Sequence, residues 1–511
     1  MEGKLVKGLS LKASIDVDKN RVIFVESDED FIDILLSFLT MPIGSIIRLV
    51  RYQPPPVEIG CMNNLYGSVE NFDVQLFQTE ACKSMLLHPR NGAAAQSESL
   101  KLTVDDFEPL QYFCCESWEC TASKYKLLSH YRNAICSCGK LMNREVDLLE
   151  KENKQMSFDA RDRGVFVKGL ARMLVSDELK IMPPLTATSF SLLSKLGLTD
   201  GSTIEEKTFD VGVDEVWNLL KFSLVSRIPL TETLLRKSPE LNNEHYDQGS
   251  FTNFDQGRFP KSHSIETSNK YKRIYVQLIV SKSRKMVCYA EAGEDFVDLL
   301  FSFLTVPLGH VAKEMKNDTS RGCINHLFNS IQDLDTERYL KSNDHRAMLA
   351  SPKLAWGYKL GNQPLGVEEC KHQQRFYYHI DLTGMFPTPV LCSDEKLLPS
   401  SNSVQVSLLS VMDPKSHYKD AKSSGGFVKG PALFTVTDNL SITPISPVSS
   451  LSVLSKLKVP FNDIEERVVH VGKEEASRLL MAAFVTKSAL TNAFIYEEPK
   501  QEFKGRNYGY Y

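Results

Sequence analysis

Four cysteines in the first third of the chain have a spacing that could bind a metal ion. Cys115 and Cys120 are separated by four residues, and Cys136 and Cys138 follow after a loop of 15 residues. Thiolates from two such pairs can surround a Zn²⁺ ion tetrahedrally, with bonds of about 2.3 Å. The ion would clip together a segment that is too polar to fold alone. The pattern predicts one structural Zn²⁺ in a ribbon-like segment, residues 106–150.

Other interpretations of this segment stay open. The Cys136-x-Cys138 pair is tighter than the common CxxC pair, and Cys114 competes with Cys115 as a ligand. His130 could replace one thiol. The same residues could equally be unconnected reduced thiols, because short cysteine clusters are compositional hints.

Catalytic motifs are absent from the sequence. It contains no G-x-x-x-x-G-K-[ST], G-x-S-x-G or H-E-x-x-H pattern. Acidic residues recur near the start of two apolar segments, and they are more typical of a helix's first turn, where they complement the helix dipole, than of acid and base catalysts. These acidic residues are Glu29, Asp30, Asp33, Glu294, Asp295 and Asp298. We therefore predict no catalytic residue.

The chain contains an internal repeat. The segment EDFIDILLSFLTMPIG at residues 29–44 recurs as EDFVDLLFSFLTVPLG at residues 294–309, with eleven of sixteen positions identical. FVKG, LSKL and the closing VG, LL and LT pairs recur in the same order. The stretch of the second copy that contains Tyr377, His379 and Cys392 cannot supply four thiolates. Metal binding is therefore expected in the first copy alone, and removal of the metal should leave the second copy untouched.

Each copy opens with two strand-like runs, such as Leu9 to Ile15 and Arg21 to Glu26, which predict a hairpin. A helix should follow, with Ser27 and Asp30 as its N-cap pair. In that helix Phe31, Leu35 and Phe38 recur at helical spacing. Strands and helices alternate again in the second half of each copy. The fold class is α+β, with hairpin-helix elements and a mixed or antiparallel sheet in each copy.

Domain boundaries follow from the repeat and from changes in composition. Each copy is long enough to bury a core of its own. The polar linker should be open to mild proteolysis, which would release two folded halves. The predicted divisions are residues 1–105 and 151–235 for the first copy, 106–150 for the cysteine-rich segment, 236–270 for the linker, 271–497 for the second copy and 498–511 for a tail.

Bulk composition limits the location and the partners. The 511 residues carry a net charge of -4, so no global basic field favours duplex nucleic acid. The first residues lack the continuous apolar run of a secretory signal, and no clean apolar span of about 20 residues appears. Eleven cysteines in such a chain favour reduced thiols or metal ligands over a disulfide framework. We expect an intracellular protein of the cytosol or nucleus, neither secreted nor in a membrane.

The hairpin followed by EDFIDILLSFLTMPIG, with FVKG, LLSKL and the closing VGVDEVWNLLKFSLVSRIPLT, resembles the plant family known as domain of unknown function 674. The resemblance covers nearly the whole chain except the linker and the tail. It implies a land-plant protein with many paralogues, and it brings no activity, substrate or site residue.

These observations favour a non-enzymatic binding or scaffold protein that presents a duplicated α+β unit to a protein partner. One alternative is an enzyme with a site between the copies, where pockets commonly form. A second is nucleic-acid binding through the cysteine-rich segment, where basic and aromatic residues are interleaved but diluted by acidic ones. The basic and aromatic residues are Lys124, Lys126, Arg132, Lys140, Arg144, Tyr112, Phe113, Trp118, Tyr125 and Tyr131.

Overall fold

Apolar residues alternate with polar ones along the first strand, β1 (Leu9–Asp16), in which Leu9 and Leu11 are buried. A period of two turns one face of a strand toward the core. β2 (Arg21–Ser27) pairs antiparallel with β1, as the predicted hairpin requires. α1 (Glu29–Ser37) then buries its apolar residues almost completely.

The described helices and strands extend from Leu9 to Phe494. The computed structural model describes residues 8–102, 104–105, 111–117, 120, 126–149, 164–169, 172–236, 274–315, 322–361, 364–371, 375–381, 388–394, 396, 398, 406–416 and 425–495. The other helices are α2 (Ile43–Val50), α3 (Met62–Asn71), α4 (Glu80–Leu87), α5 (Ala94–Ser97), α6 (Thr186–Lys195), α7 (Val213–Val225), α8 (Pro229–Leu234), α9 (Glu294–Ser302), α10 (Leu308–Met315), α11 (Ile324–Asp333), α12 (Thr336–Tyr339), α13 (Asn343–Ala350), α14 (Pro447–Leu457), α15 (Lys473–Val485) and α16 (Ala489–Phe494). The other strands are β3 (Phe113–Cys114), β4 (Lys126–Leu128), β5 (Ala134–Ile135), β6 (Leu141–Met142), β7 (Arg144–Glu145), β8 (Leu148–Leu149), β9 (Met173–Ser176), β10 (Ile181–Met182), β11 (Ile204–Val211), β12 (Ile274–Ser281), β13 (Met286–Gly293), β14 (Phe376–Asp381), β15 (Thr388–Cys392), β16 (Ser407–Val411), β17 (Leu433–Thr437), β18 (Ile442–Pro444) and β19 (Ile464–Val471).

The strands form three five-stranded sheets, which confirms the α+β class. The first sheet has the order β10-β9-β2-β1-β11, and the second has the equivalent order β18-β17-β13-β12-β19. All neighbours in these two sheets are antiparallel. The third sheet, β4-β16-β14-β15-β8, is mixed, because β4 and β8 run parallel to their neighbours.

The two halves of the chain share one hydrophobic core. Phe31, Phe38, Phe296 and Phe303 are all fully buried, and they belong to a single cluster of contacting apolar residues. The expectation that each copy buries a core of its own is therefore wrong. Helices also pack across the halves, because α3 contacts α9 and β18, and α11 contacts β10.

The backbones of the two halves contact each other where each half turns into its second helix. The N–H of Ile43 donates to the carbonyl of Val306 at 3.0 Å, and the N–H of Leu308 donates to the carbonyl of Met41 at 2.9 Å. A Cβ on Gly44 would lie 3.0 Å from the carbonyl oxygen of Leu304. The glycine that follows each proline thus permits close packing between the halves.

Short segments are also exchanged between the halves. The N–H of Lys168 donates to the carbonyl of Tyr339, so the FVKG segment of the first half pairs with the second half. Reciprocally, the N–H of Gln78 in the first half donates to the carbonyl of Phe427 in the second FVKG segment. Each half therefore completes the other.

The start of α1 differs from the sequence prediction. Its N-cap is Asp28, which makes no side-chain cap hydrogen bond. Ser27 ends β2 and donates its hydroxyl to the carbonyl of Asp28, while Asp30 accepts from Lys101 at 2.6 Å. The predicted capping pair is wrong because both side chains have other partners.

In the described part of the chain, no helix has the length and apolar character to cross a membrane.

Candidate metal centre

Two small antiparallel pairs of strands position three of the four cysteines. β3 pairs with β7, and Cys115 follows directly after β3. β5 pairs with β6, and the turn between them carries Cys136 and Cys138. These pairings bring together cysteines that lie up to 23 residues apart in the sequence.

The four sulfur atoms form one compact cluster. Cys115 Sγ lies 3.5 Å from Cys138 Sγ, and Cys120 Sγ lies 3.5 Å from Cys136 Sγ. All four atoms lie within 4.8 Å of one another. Sulfurs around a tetrahedral Zn²⁺ with bonds of about 2.3 Å would be roughly 3.8 Å apart. The cluster could therefore bind a metal ion.

A tight turn shapes one side of the cluster. The N–H of Cys136 donates to the carbonyl of Lys140 at 2.8 Å, and the N–H of Gly139 donates back to the carbonyl of Cys136 at 2.8 Å. Gly139 has a φ of 84°, which L side chains rarely adopt, although a Cβ there would meet nothing within 4 Å. The backbone conformation, rather than the space, thus requires glycine at this position.

Burial and neighbouring groups act differently on the thiols. Burial raises the pKa of the Cys115 thiol to about 11 and also raises the pKa of Cys120, and neighbouring thiols add to both rises. At the exposed Cys138, burial also acts to raise the pKa, but the backbone N–H of Lys140 and the neighbouring thiols together lower it. Four thiolates this close would repel one another, so a bound cation would favour the charged form.

The two competing ligands lie outside this cluster. Cys114 points to the opposite side of β3, where it packs with Tyr112 and Leu128. The ring of His130 packs against Tyr112, with ring centroids 5.2 Å apart, and against Phe376. The four-cysteine set is the one group of metal-ligating residues of this kind among the described residues.

Cysteines elsewhere have ordinary structural contacts. Cys370 donates to the carbonyl of Gly92 at 3.4 Å, and Cys61 donates to the carbonyl of Thr486 at 3.1 Å. Cys392 is buried in β15, and burial raises the pKa of its thiol.

The cysteine-rich segment is attached to both halves of the chain. Cys115, Cys136 and Phe113 pack with Ala81 of α4 in one small apolar cluster. On its other side, β4 pairs with β16 and β8 pairs with β15, which both belong to the second half. All four cysteines of the cluster belong to the first copy, and metal binding by that copy alone stays a prediction. The strands of the segment nonetheless form the two edges of the third sheet, which links the segment to the second half.

The structure gives two acidic residues a role that the sequence did not indicate. Asp33 accepts hydrogen bonds from the backbone N–H groups of Phe166 at 2.8 Å and Val167 at 2.9 Å. Asp298 accepts from Phe427 and Val428 in the same way. Burial raises the pKa of Asp33 to about 6 and of Asp298 to about 7. These carboxyl groups bind the FVKG segments. Neither lies in the first turn of its helix, where the acidic residues are Glu29 and Asp30 in α1 and Glu294 and Asp295 in α9.

Aromatic residues near the cysteines are largely occupied by packing. Tyr112 and Phe113 are buried, and Arg144 donates to the hydroxyl of Tyr378 at 2.6 Å. The hydroxyl of Tyr131 bonds that of the buried Tyr358. Such rings are closed to stacking on bases. Trp118, Lys124 and Tyr125, which the nucleic-acid hypothesis also involves, lie outside the described residues.

A family model matches residues 6–474, a span that includes the first half, all four cysteines and most of the second half. The chain belongs to this family, described as protein of unknown function (DUF674). No curated protein and no solved structure matches the chain. The DUF674 description names no reaction, ligand or partner, so the geometry of the cysteine cluster is the main guide to function.

Proposed function

We propose that this protein is a non-enzymatic binding or scaffold protein in which Cys115, Cys120, Cys136 and Cys138 hold one structural Zn²⁺. The observation that carries the proposal is the convergence of the four sulfur atoms within 4.8 Å. Four thiolates complete a tetrahedral zinc shell, whereas catalytic zinc keeps a position for water. The ion would therefore fix the fold of the segment rather than activate a substrate.

The attachment of this segment explains why a metal clip would matter. β3, β5, β6 and β7 have two residues each, and pairs this short are not stable by themselves. Their cluster contributes few buried apolar side chains. A metal ion would supply the stability that burial does not, and it would keep β4 and β8 in position at the edges of the third sheet.

Metal analysis of the full chain tests this assignment. Protein purified without chelators should contain about one zinc per chain. Cys136→Ser should lose most of that zinc, whereas Cys370→Ser, which changes a thiol outside the cluster, should keep it. Substitution with Co²⁺ should give thiolate-to-cobalt charge-transfer absorption in the wild type and in Cys370→Ser. If the purified protein contains no zinc, or if both variants contain equal zinc, the proposed site is wrong and the four residues are ordinary reduced cysteines.

A binding role is favoured over an enzyme with a site between the copies by the packing of the two halves. The turns that lead into α2 and α10 pack against the opposite half. They contain four apolar residues that are fully or almost fully buried, Leu39, Met41, Leu304 and Val306. A Cβ on Gly44 would lie 3.0 Å from the carbonyl oxygen of Leu304, so the space there leaves little room for a side chain. The polar side chains buried there, Thr40, Ser45 and Thr305, donate to backbone carbonyl groups and so serve the packing of the turns.

We also infer that the two halves are diverged copies of one unit. The equivalent strand orders of the two large sheets and the burial of matched phenylalanines in α1 and α9 support this history. A protein partner in the cytosol or nucleus stays a prediction. Affinity purification of the tagged full chain, compared with Cys136→Ser, should recover the same proteins reproducibly and lose those that need the zinc-bound segment. Recovery of RNA in a salt-sensitive manner would instead favour the nucleic-acid alternative.

A further inference from the structure

Each of the two large sheets has one edge that the opposite half closes. At β10, the N–H of Ile181 donates to Ser330 Oγ at 2.9 Å, and at β18 the N–H of Ile442 donates to Ser68 Oγ at 2.9 Å. At the other edges, β11 and β19 pair with β1 and β12 alone among the described residues. An edge strand with unpaired backbone groups is a template for another strand.

The two open edges differ in the residues that they expose. Val468 in β19 is 72% exposed, and Tyr275 on the neighbouring strand is 59% exposed. The equivalent positions in the first sheet are Thr208 and Ser10, because the pair Leu9–Val211 corresponds to the pair Ile274–Val471. Of these two open edges, β19 carries a strongly exposed apolar side chain, and the equivalent position of β11 carries a threonine.

We propose that β19 pairs antiparallel with β19 of a second copy of this chain, about a twofold axis at Val468. A twofold axis perpendicular to the sheet keeps the same face of both strands on one side. Val468 then lies against the partner's Val468, and Glu466 lies opposite the partner's His470, twice by symmetry. The imidazole can donate a hydrogen bond to the carboxylate. The ring centroid of Tyr275 lies 5.7 Å from that of His470, so Tyr275 borders the proposed strand pair.

Charge selects this register and this edge. A register centred on Glu466 would place two glutamates opposite each other, and one centred on Arg467 would do the same with two arginines. Like charges directly opposite each other are destabilising. The same register at the first edge, centred on Thr208, would set Glu206 opposite the partner's Asp210. Like charges thus oppose pairing at β11, whereas β19 is complementary to itself.

The size of the contact sets the expected strength. A strand pair of this length with few flanking contacts falls in the class of weak interfaces, below about 1,200 Å² in total. The dimer should therefore form and dissociate with concentration. Sedimentation of the full chain between about 1 and 100 µM covers the range expected for such interfaces. The average mass should rise from one chain to two across this range.

Two matched substitutions distinguish the edge from the rest of the surface. Val468→Lys brings two ammonium groups together at the axis and should keep the chain monomeric. Thr208→Lys makes the same change at the equivalent position of β11 and should dimerise as the wild type does. Both positions are exposed, so neither change should disturb the core, and thermal unfolding of both variants checks this.

A cross-link tests the register. Val468→Cys should form a covalent dimer on mild oxidation, because residues opposite each other on a twofold axis are close enough for a disulfide. Thr208→Cys should not do so beyond the wild-type background. A wild type that stays monomeric at every concentration would overturn the proposal, and so would dimers that tolerate Val468→Lys or that fail to cross-link through Val468→Cys.

Discussion

Asp298 Oδ1 accepts a hydrogen bond of 2.8 Å from the backbone N–H of Phe427, which lies 129 residues later in the chain. The same oxygen accepts from Val428 at 2.9 Å. Phe427 belongs to the segment that pairs with the first half, so this carboxyl group holds an exchanged segment in place. The side chain is buried, and burial raises its pKa to about 7 despite the two donors.

We expect Asp298→Asn to change how stability depends on pH. The folded-state pKa is about 7 and the usual value is 3.8, so between these values the folded chain holds a proton that the unfolded chain has lost. The free energy of unfolding should fall as pH rises through this window. Asn keeps an acceptor oxygen for both N–H groups but cannot ionise. The decrease in the free energy of unfolding across this window should therefore be on the order of 1–3 kcal/mol smaller in the variant than in the wild type. Urea unfolding at pH 4.5 and pH 7.5 measures it, and an unchanged slope in the variant would contradict the assignment.

A glycine beside this carboxyl group should be intolerant of substitution. A Cβ on Gly426 would lie 1.6 Å from Asp298 Oδ2, so Gly426→Ala must displace the carboxyl group or the segment. We expect a loss of several kcal/mol, or failure to fold. Gly67→Ala is the matched control, since Gly67 lies within α3 and a Cβ there meets nothing within 4 Å. Because alanine favours helix, this change should stabilise by up to about 1 kcal/mol. Equal melting temperatures for the two variants would refute the steric argument.

Removal of the metal should affect the second half as well as the first. β4 pairs with β16 and β8 pairs with β15 at the two edges of the third sheet. If the cysteine-rich segment loses its metal ion and unfolds, these two edge strands should also detach from the sheet. Hydrogen exchange after chelation should increase over residues 112–149 and over β14, β15 and β16. Residues of β1 and β12 in the other sheets serve as internal controls and should keep their protection. Increased exchange confined to residues 112–149 would contradict the role of the third sheet.

Cleavage between the halves should not separate them. A protease site inserted between residues 240 and 270 gives two fragments that share one core and exchange FVKG segments. Contacts of this kind resemble an obligate interface, so the fragments should elute together from a sizing column and separate only in denaturant. Fragments that elute apart, each still folded, would show instead that the two halves are independent.

The sequence predicted local structure better than long-range organisation. The hairpin of β1 and β2 and the helix with Phe31 and Leu35 follow from apolar periodicity, which reports which face is buried. Periodicity does not report what covers that face, so the shared core and the order of the sheets could not be predicted. The four cysteines were found because their spacing is itself a signal. Asp33 was missed because its partners lie more than 130 residues away.

The reciprocal exchange between the halves has a consequence for how such a protein can assemble. A chain with one half only would expose the faces that the other half now covers, and its FVKG segment would lack the backbone groups that it now pairs with. It could fold only by meeting a second molecule, so its stability would depend on concentration. Joining both halves in one polypeptide turns that encounter into an intramolecular step. Folding of the joined chain is then independent of how many molecules the cell makes.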